Sequence, residues 1–190
     1  MPKVCALGAD GRVRCLAELT DMVEQREIER VIARLAPSRE VVVGRRHACA
    51  IDLAGGVYCH GENPTGEVGV GTRGDREAPA ARAALRDAVR VVRGYESACA
   101  ITDAGLYCWG GNRAGDVGVG GDPYRAQSVP TRVALEGVTD VAAKIDHACA
   151  VSHGAVYCWG GNTHGEVSPG GAAVVVTPTR VALPAVAREV

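Results

Sequence analysis

The chain contains no Phe, and aromatic residues make up only 4% of it. Lys is scarce as well: it stands at Lys3 and Lys144 alone, so the basic count of 21 is almost entirely Arg. The formal net charge of −1 supplies no long-range field to steer the protein onto nucleic acid or an anionic membrane. No apolar run approaches the roughly 20 residues that a spanning helix needs. The opening Met1-Pro-Lys-Val-Cys-Ala lacks the apolar core of a secretory leader. No Cys-x-x-Cys occurs, so zinc ribbons, thioredoxin-like centres and haem attachment lack their signature. No Gly-Lys-Ser or Gly-Lys-Thr follows any glycine-rich stretch, and a P-loop would lack its lysine. No Ser/His/Asp set, carboxylate pair or activated Cys stands out, and no cofactor is expected.

What the chain does hold is glycine and small apolar side chains. Gly numbers 25 and Pro 9, which implies many turns, while an apolar fraction of 47% over 190 residues is enough for a buried core. These residues recur in phase. His147-Ala-Cys149-Ala-Val-Ser-His-Gly-Ala-Val-Tyr-Cys158-Trp-Gly is followed by Gly161-Asn162-Thr-His-Gly165-Glu-Val167. The same unit stands earlier from Ala98-Cys99 through Tyr107-Cys108-Trp109 to Gly111, Asn112, Gly115 and Val117. Another copy, with His60 in the Trp position, runs from His47-Ala-Cys49 through Tyr58-Cys59 to Gly61, Asn63, Gly66 and Val68. A worn copy, Val4-Cys5 to Cys15, opens the chain. First cysteines at 5, 49, 99 and 149 set a period of 44 to 50 residues, the mark of a repeat architecture. The chain reads as one repeat array, 1–190, with units of about 5–48 (degenerate), 49–98, 99–148 and 149–190 (incomplete).

Each cysteine pair frames a hairpin. Counting inward from Cys149 and Cys158 leaves a two-residue turn at His153-Gly154, and from Cys49 and Cys59 a three-residue loop ending on Gly55; both are favoured closures. Cys5 and Cys15 frame a loop ending on Gly11. Between Cys99 and Cys108 the inner pair is Thr102–Gly105 around Asp103-Ala104, a poorer turn for which an opening to four residues is the alternative. Alternation puts Cys149, Val151, Val156 and Cys158 on one face, and Ala150, Tyr157 and Trp159 on the other. Both faces are apolar, so the sheet must be covered on both sides, as in sheets stacked around an axis. Between Cys15 and Val41 the glycine-rich turn is missing, and Glu18 to Arg34 suits a remodelled edge with a short helix.

Eight cysteines in four local pairs read best as four disulfides, Cys5–Cys15, Cys49–Cys59, Cys99–Cys108 and Cys149–Cys158, which imply an oxidising compartment. Two alternatives stay open. His47 and Cys49 share a face, as do His147 and Cys149, so a Cys₂His metal site is conceivable, although Ser97 replaces His while its cysteines remain. Reduced cysteines also pack well as small hydrophobes. Asn63, Asn112 and Asn162 are expected to bond nearby backbone within turns built on Gly61, Gly66, Gly111, Gly115, Gly161 and Gly165. His60, His153 and His164 read as solvated turn residues, and Asp103, Asp116 and Glu166 as polar loop residues.

The long motif Cys-Ala-x-x-x-x-Gly-x-Tyr-Cys-Trp-Gly-x-Asn-x-x-Gly-x-Val-Gly-x-Gly resembles the regulator-of-chromosome-condensation repeat, in its cysteine-paired bacterial style, over residues 40 to 183. The resemblance implies an all-β fold: a partial β-propeller arc of about four blades, part of a seven-blade propeller. The arc would be completed by further blades of a longer chain or by a second copy. Family members include an exchange factor for a small nuclear GTPase that binds chromatin, but no counterpart of its exchange-promoting insertion is found. A secreted relative inhibits β-lactamases through loops on one propeller face.

The expected function is a non-catalytic protein-binding or scaffold module, extracellular, periplasmic or on the cell surface, with an unidentified protein partner and no nucleic acid. An inhibitor of an extracellular enzyme is the alternative, and a wall- or carbohydrate-active enzyme fragment a third; a convergent carboxylate pair would favour the last. The binding loops are placed at Thr72 to Pro79 (Thr72, Arg73, Asp75, Arg76) and Gly121 to Val129 (Asp122, Tyr124, Arg125, Gln127), because these vary between copies while the frame repeats.

Overall fold

The computed structural model describes residues 4–10, 13–16, 37–43, 47–183 and 187–190, with the backbone alone for 4–7, 13–16 and 75–82. The described residues form antiparallel sheets and no helix. A two-stranded sheet pairs β1 (Val4–Leu7) with β2 (Val13–Leu16). Three four-stranded sheets follow, each a meander in chain order. The first joins β3 (Ser38–Val43), β4 (His47–Asp52), β5 (Val57–Asn63) and β6 (Gly74–Arg82). The second joins β7 (Ala88–Arg93), β8 (Ser97–Thr102), β9 (Gly105–Gly110) and β10 (Gln127–Arg132). The third joins β11 (Val138–Ala143), β12 (His147–Ser152), β13 (Ala155–Gly161) and β14 (Val174–Val181). Each sheet thus opens with the strand that precedes the cysteine hairpin.

The hairpins close as glycine placement dictates. His153 and Gly154 both take positive φ, 48° and 74°, the requirement of a two-residue turn whose twist suits the strands. Gly55 takes φ 79° at the end of the three-residue loop. The turn between β8 and β9 does not open to four residues: Thr102 pairs with Gly105 across it. Thr102 Oγ1 accepts from Ala104 N and donates to Gly105 O, both at 3.1 Å, which closes the turn without glycine at its centre. Cysteines lie opposite one another in all four hairpins, Cys5↔Cys15 included. Disulfides join Cys49–Cys59, Cys99–Cys108 and Cys149–Cys158, so these sulfurs are bonded to one another rather than available as thiolate ligands. The side chains of Cys5 and Cys15, the loop at Gly11 and the helix expected between Glu18 and Arg34 lie outside what is described.

Packing follows from the two apolar faces. The Cys49, Ile51, Val57 and Cys59 face of the first four-stranded sheet buries against Ala98, Ala100, Tyr107 and Trp109 of the second. The Cys99, Ile101, Leu106 and Cys108 face of the second buries in turn against Ala148, Ala150, Tyr157 and Trp159 of the third. A small Ala opposite Tyr lets each sheet nest on the previous one. β3 touches β7 and β7 touches β11, so the opening strands gather at a common hub, while β6, β10 and β14 form the outer edges. Pro130 and Pro178 sit in those outer strands, where a missing donor costs no ladder bond.

Candidate binding face

The glycine-rich turns of the second and third four-stranded sheets lie at one end of the stack, beside the short turns that join the first two strands of those sheets: Gly111 N bonds Glu96 O, and Gly161 N bonds Asp146 O, each at 2.7 Å. Each glycine-rich turn is pinned at its root by one amide. Asn63 accepts from Val68 N at 3.0 Å and donates to Thr72 O at 3.1 Å. Asn112 accepts from Val117 N at 3.1 Å and donates to Asp122 O and Arg125 O at 3.3 and 3.2 Å. Asn162 accepts from Val167 N and Ser168 N, and donates to Ser168 O and Ala172 O, all at 2.9 Å. Each side chain ties the descending turn to the returning loop. Gly66, Gly115 and Gly165 take positive φ within these turns. Gly61 shares its positive φ with Gly110 and Gly160, one residue ahead of Gly111 and Gly161.

A second device joins neighbouring sheets. The Trp109 indole donates to Glu67 O at 2.8 Å, and the Trp159 indole to Asp116 O at 3.0 Å, each across the boundary between sheets. Both indoles are fully buried. The ring lies on a glycine of the preceding turn: a Cβ at Gly69 would stand 2.7 Å from Trp109 Nε1, and one at Gly118 2.5 Å from Trp159 Nε1. Burying an indole removes roughly 150–250 Å² from water, an upper-limit gain of about 4–6 kcal/mol. His60 holds the equivalent place on β5 and is buried rather than solvated, because that strand position faces inward whatever side chain it carries.

Beyond the pinned roots the loops differ. Residues 121–126 form a compact projection in which Asp122 Oδ1 accepts from Tyr124 N at 2.9 Å and Gln127 Nε2 donates to Arg125 O at 3.3 Å. Tyr124 is 71% exposed at its tip, and Asp122 and Arg125 are exposed beside it. Arg73 reaches across from the neighbouring sheet to Ala126 O at 3.1 Å, joining the two loops into one surface. Thr72 is exposed at the root of its loop. Asp75 and Arg76, however, are in β6 rather than a loop. β6 starts at Gly74, paired with Asn63, because register breaks near Gly61 carry the strand further up the sheet. Gln127 likewise opens β10.

Carboxylates do meet on this face. Glu67 is buried at the boundary of the first two four-stranded sheets, and desolvation raises its pKa, with a smaller contribution from the charge of Glu96. Glu96 is gripped by Arg113 through two bonds of 2.5 and 2.7 Å, and Glu67 accepts from Thr65 N at 2.9 Å. Asp116 lies in a turn, as a polar loop residue should, but it is buried, and desolvation raises its pKa. Glu166, its counterpart on the last sheet, is exposed, as are His153, His164 and Asp103. His47 is fully buried at the start of β4; desolvation first, and the nearby Arg93 charge second, push its pKa down to about 4.

Sheets stacked face to face around a hub, each a four-stranded antiparallel meander, define a partial β-propeller. Residues 138–166 match the family profile of the Regulator of chromosome condensation (RCC1) repeat, so the resemblance drawn from the cysteine–tryptophan–glycine pattern holds. Solved structures agree on the fold. Human WBSCR16 superposes with a TM-score of 0.67 at 18% identity, covering 90% of this chain and 40% of its own. Prp20p from Saccharomyces cerevisiae, described with its binding to Gsp1p and histones, gives 0.70 at 23% identity over 86% of this chain and 43% of its own. The same yeast protein bound to Kap60 gives 0.70 at 22% identity, over 96% and 45%. The chain therefore spans less than half the length of these relatives. No curated protein matches the sequence significantly.

Two features escaped the linear reading. The Trp–Gly contact joins residues some 40 positions apart, and its signal is that Trp follows the second cysteine only where the preceding unit ends in Val-Gly. The buried acids Glu67, Glu96 and Asp116 carry no signal of their own, since burial comes from the neighbouring sheet.

Proposed function

We propose that this chain is a non-catalytic protein-binding module that engages its partner through the joined loops around Arg73 and Asp122 to Gln127. The single observation behind this is the division of polar groups. Repeated ones are consumed inside the frame by Asn, Trp and backbone bonds, whereas Tyr124, Arg125 and Asp122 are exposed on a loop with a fixed root. An exposed aromatic beside Arg on a rigid support is the composition of an interface anchor. The carboxylates give less support to an enzyme: Glu96 is occupied by Arg113, and Glu67 by its own turn. Partners of the yeast relative do not transfer at this identity. Three disulfides are compatible with an oxidising extracellular setting, and we place the module outside the cytoplasm or at the cell envelope.

A photo-crosslinking residue at Tyr124, compared with one at His153 on the opposite end, tests this in the native extracellular fraction. A discrete adduct from position 124 alone, competed away by unlabelled wild type but not by a Tyr124→Ala/Arg125→Ala chain, is expected. Equal adducts from both ends, or competition by the double variant, would overturn it.

A further inference from the structure

The apolar fit between the four-stranded sheets does not tell one from another. The first receives Ala98, Ala100, Tyr107 and Trp109 of the second. The second receives Ala148, Ala150, Tyr157 and Trp159 of the third. Residue for residue these incoming faces are the same, and each indole meets the same kind of partner, a glycine and a backbone carbonyl of the receiving turn. Within one chain, connections of five residues, 83–87 and 133–137, keep neighbouring sheets side by side. Between two copies folding together, nothing apolar stops the third sheet of one from settling on the first sheet of the other. Misassembly of that kind is the characteristic failure of repeat proteins.

The charges at the boundaries do differ. One residue of each inner strand holds the same place, directly after a register shift: Glu40, Arg90 and Asp140, opposite Ile51, Ile101 and Val151. Glu40 accepts from Val91 N at 3.0 Å; burial raises its pKa, and that bond and the charges of Arg90 and Arg39 oppose the rise. Arg90 reaches on to the buried Asp140, Nε to Oδ1 at 2.8 Å. The hub thus runs acid, base, acid. A second difference lies at the glycine-rich turns. Desolvation, and to a smaller extent the charge of Glu96 on the second sheet, raise the pKa of Glu67 on the first. Arg113, also of the second sheet, grips Glu96 by two bonds. The counterparts on the third sheet are Asp146 and Thr163, an acid again but a hydroxyl in place of the guanidinium. Asp146 meets His147 Nδ1 at 3.1 Å instead.

We propose that Arg90 and Arg113 are charge keys that set the order of the stack: they admit the second sheet to the first, and they leave the third sheet of another copy without the charges to take its place. In that wrong stack Asp140 would stand where Arg90 stands, beside Glu40, and Asp146 would face Glu67 with no arginine between them. The backbone would not discriminate, since Val141 N would bond Glu40 as Val91 N does. Acids brought together at a half-buried boundary are strongly disfavoured. The keys therefore act against the wrong partner more than they add affinity for the right one. They are independent of the loop surface described above.

Refolding equal mixtures of unlabelled and isotope-labelled whole chains tests it, each chain carrying a photo-crosslinking residue in place of Arg39, which is exposed and bonds Ala88 O. Chains otherwise wild type are expected to give adducts near Ala88 within one copy. Asp140→Lys/Thr163→Arg gives the third sheet the charges of the second, and mixed-isotope adducts near Val138 are then expected to rise about tenfold or more. Trp159→Phe, which weakens the stack without changing its charge, is expected to leave them at the wild-type level. No rise in the charge variant, or an equal rise in Trp159→Phe, would overturn the proposal. Should the charge variant fail to refold, chains with the wild-type charges decide the matter in about 1 M NaCl, where the screening length falls to ~3 Å. Mixed-isotope adducts near Val138 should then exceed those at low salt, and an unchanged share counts against the keys.

Discussion

At the residue scale, stability concentrates where a large side chain meets a position that tolerates none. Gly118 combines φ of 72° with a Cβ direction that ends 2.5 Å from the Trp159 ring nitrogen. Gly118→Ala is therefore expected to cost at least about 2 kcal/mol, from backbone strain and displacement of the indole together. Trp159→Phe keeps most of the apolar area but leaves Asp116 O without its donor, a loss of about 1–3 kcal/mol. Urea unfolding monitored by far-ultraviolet circular dichroism checks both, and a midpoint unchanged within error in either variant contradicts the corresponding contact. His47 supplies a pH dependence. Its imidazole titrates near 6.5 when unfolded but only near 4 when folded, so between those values the unfolded chain binds more protons. The contribution of neutral, buried His47 is complete above about pH 6.5 and is lost as pH falls toward 4, by on the order of 3 kcal/mol. Carboxylates with raised pKa, such as Glu40 and Glu67, act in the opposite sense and are common to wild type and variant. The unfolding free energy of wild type should thus fall relative to His47→Ser between pH 7 and pH 4.5. Parallel curves would show that His47 is not held neutral.

At the element scale, the hairpin is the unit, and the disulfide closes it. Each described bridge spans a separation of 9 or 10 residues, a loop whose closure is worth about 2–3 kcal/mol in the chain-entropy account. Cys99→Ala/Cys108→Ala should lose about that much while keeping the fold, since the strand register is also held by ladder bonds and two buried faces. Chemical unfolding of the double variant against wild type measures the loss. Thiol titration of the denatured, non-reduced chain should find none of the six cysteines of these hairpins free, so at most two thiols in all. Eight titrating thiols would remove the argument for an oxidising compartment. Hairpin geometry was legible down to the turn in two cases, because Gly55 and Gly154 mark the closures. At Asp103-Ala104 the same count gives the inner pair Thr102–Gly105, but not what closes so poor a turn: Thr102 does locally what glycine does elsewhere. The start of β6 is hidden for a different reason: Gly74 to Pro79 reads as a loop, and only pairing with β5 draws it into the sheet.

At the scale of the whole molecule, sheets are stabilised by their neighbours, so stability should follow position in the stack. The sheet of β7 to β10 is covered on both faces, by the Cys49–Cys59 face before it and the Trp159 face after it. Hub contacts add to this: Arg90 pairs with Asp140 at 2.8 Å, and Arg39 bonds Ala88 O. Native-state hydrogen exchange is expected to be slowest in β8 and β9, and faster in β13 and β14, whose sheet has a covered face on one side and the 187–190 segment on the other. Uniform protection across the three sheets would indicate a single cooperative unit instead.

The repeat is legible from its 44-to-50-residue period, and the cysteine pairing across hairpins, the two apolar faces and hence the need to stack are legible because they depend on residues fewer than about a dozen positions apart and on alternation along a strand. Tertiary structure alone decided which face meets which, that His60 and Asp116 are buried and that the acids beside Trp109 are already occupied. It also decided that Arg73 reaches the neighbouring loop. Those properties arise where one repeat covers another. The partner there is 40 to 50 residues away, and the local sequence carries no mark of its distance or direction.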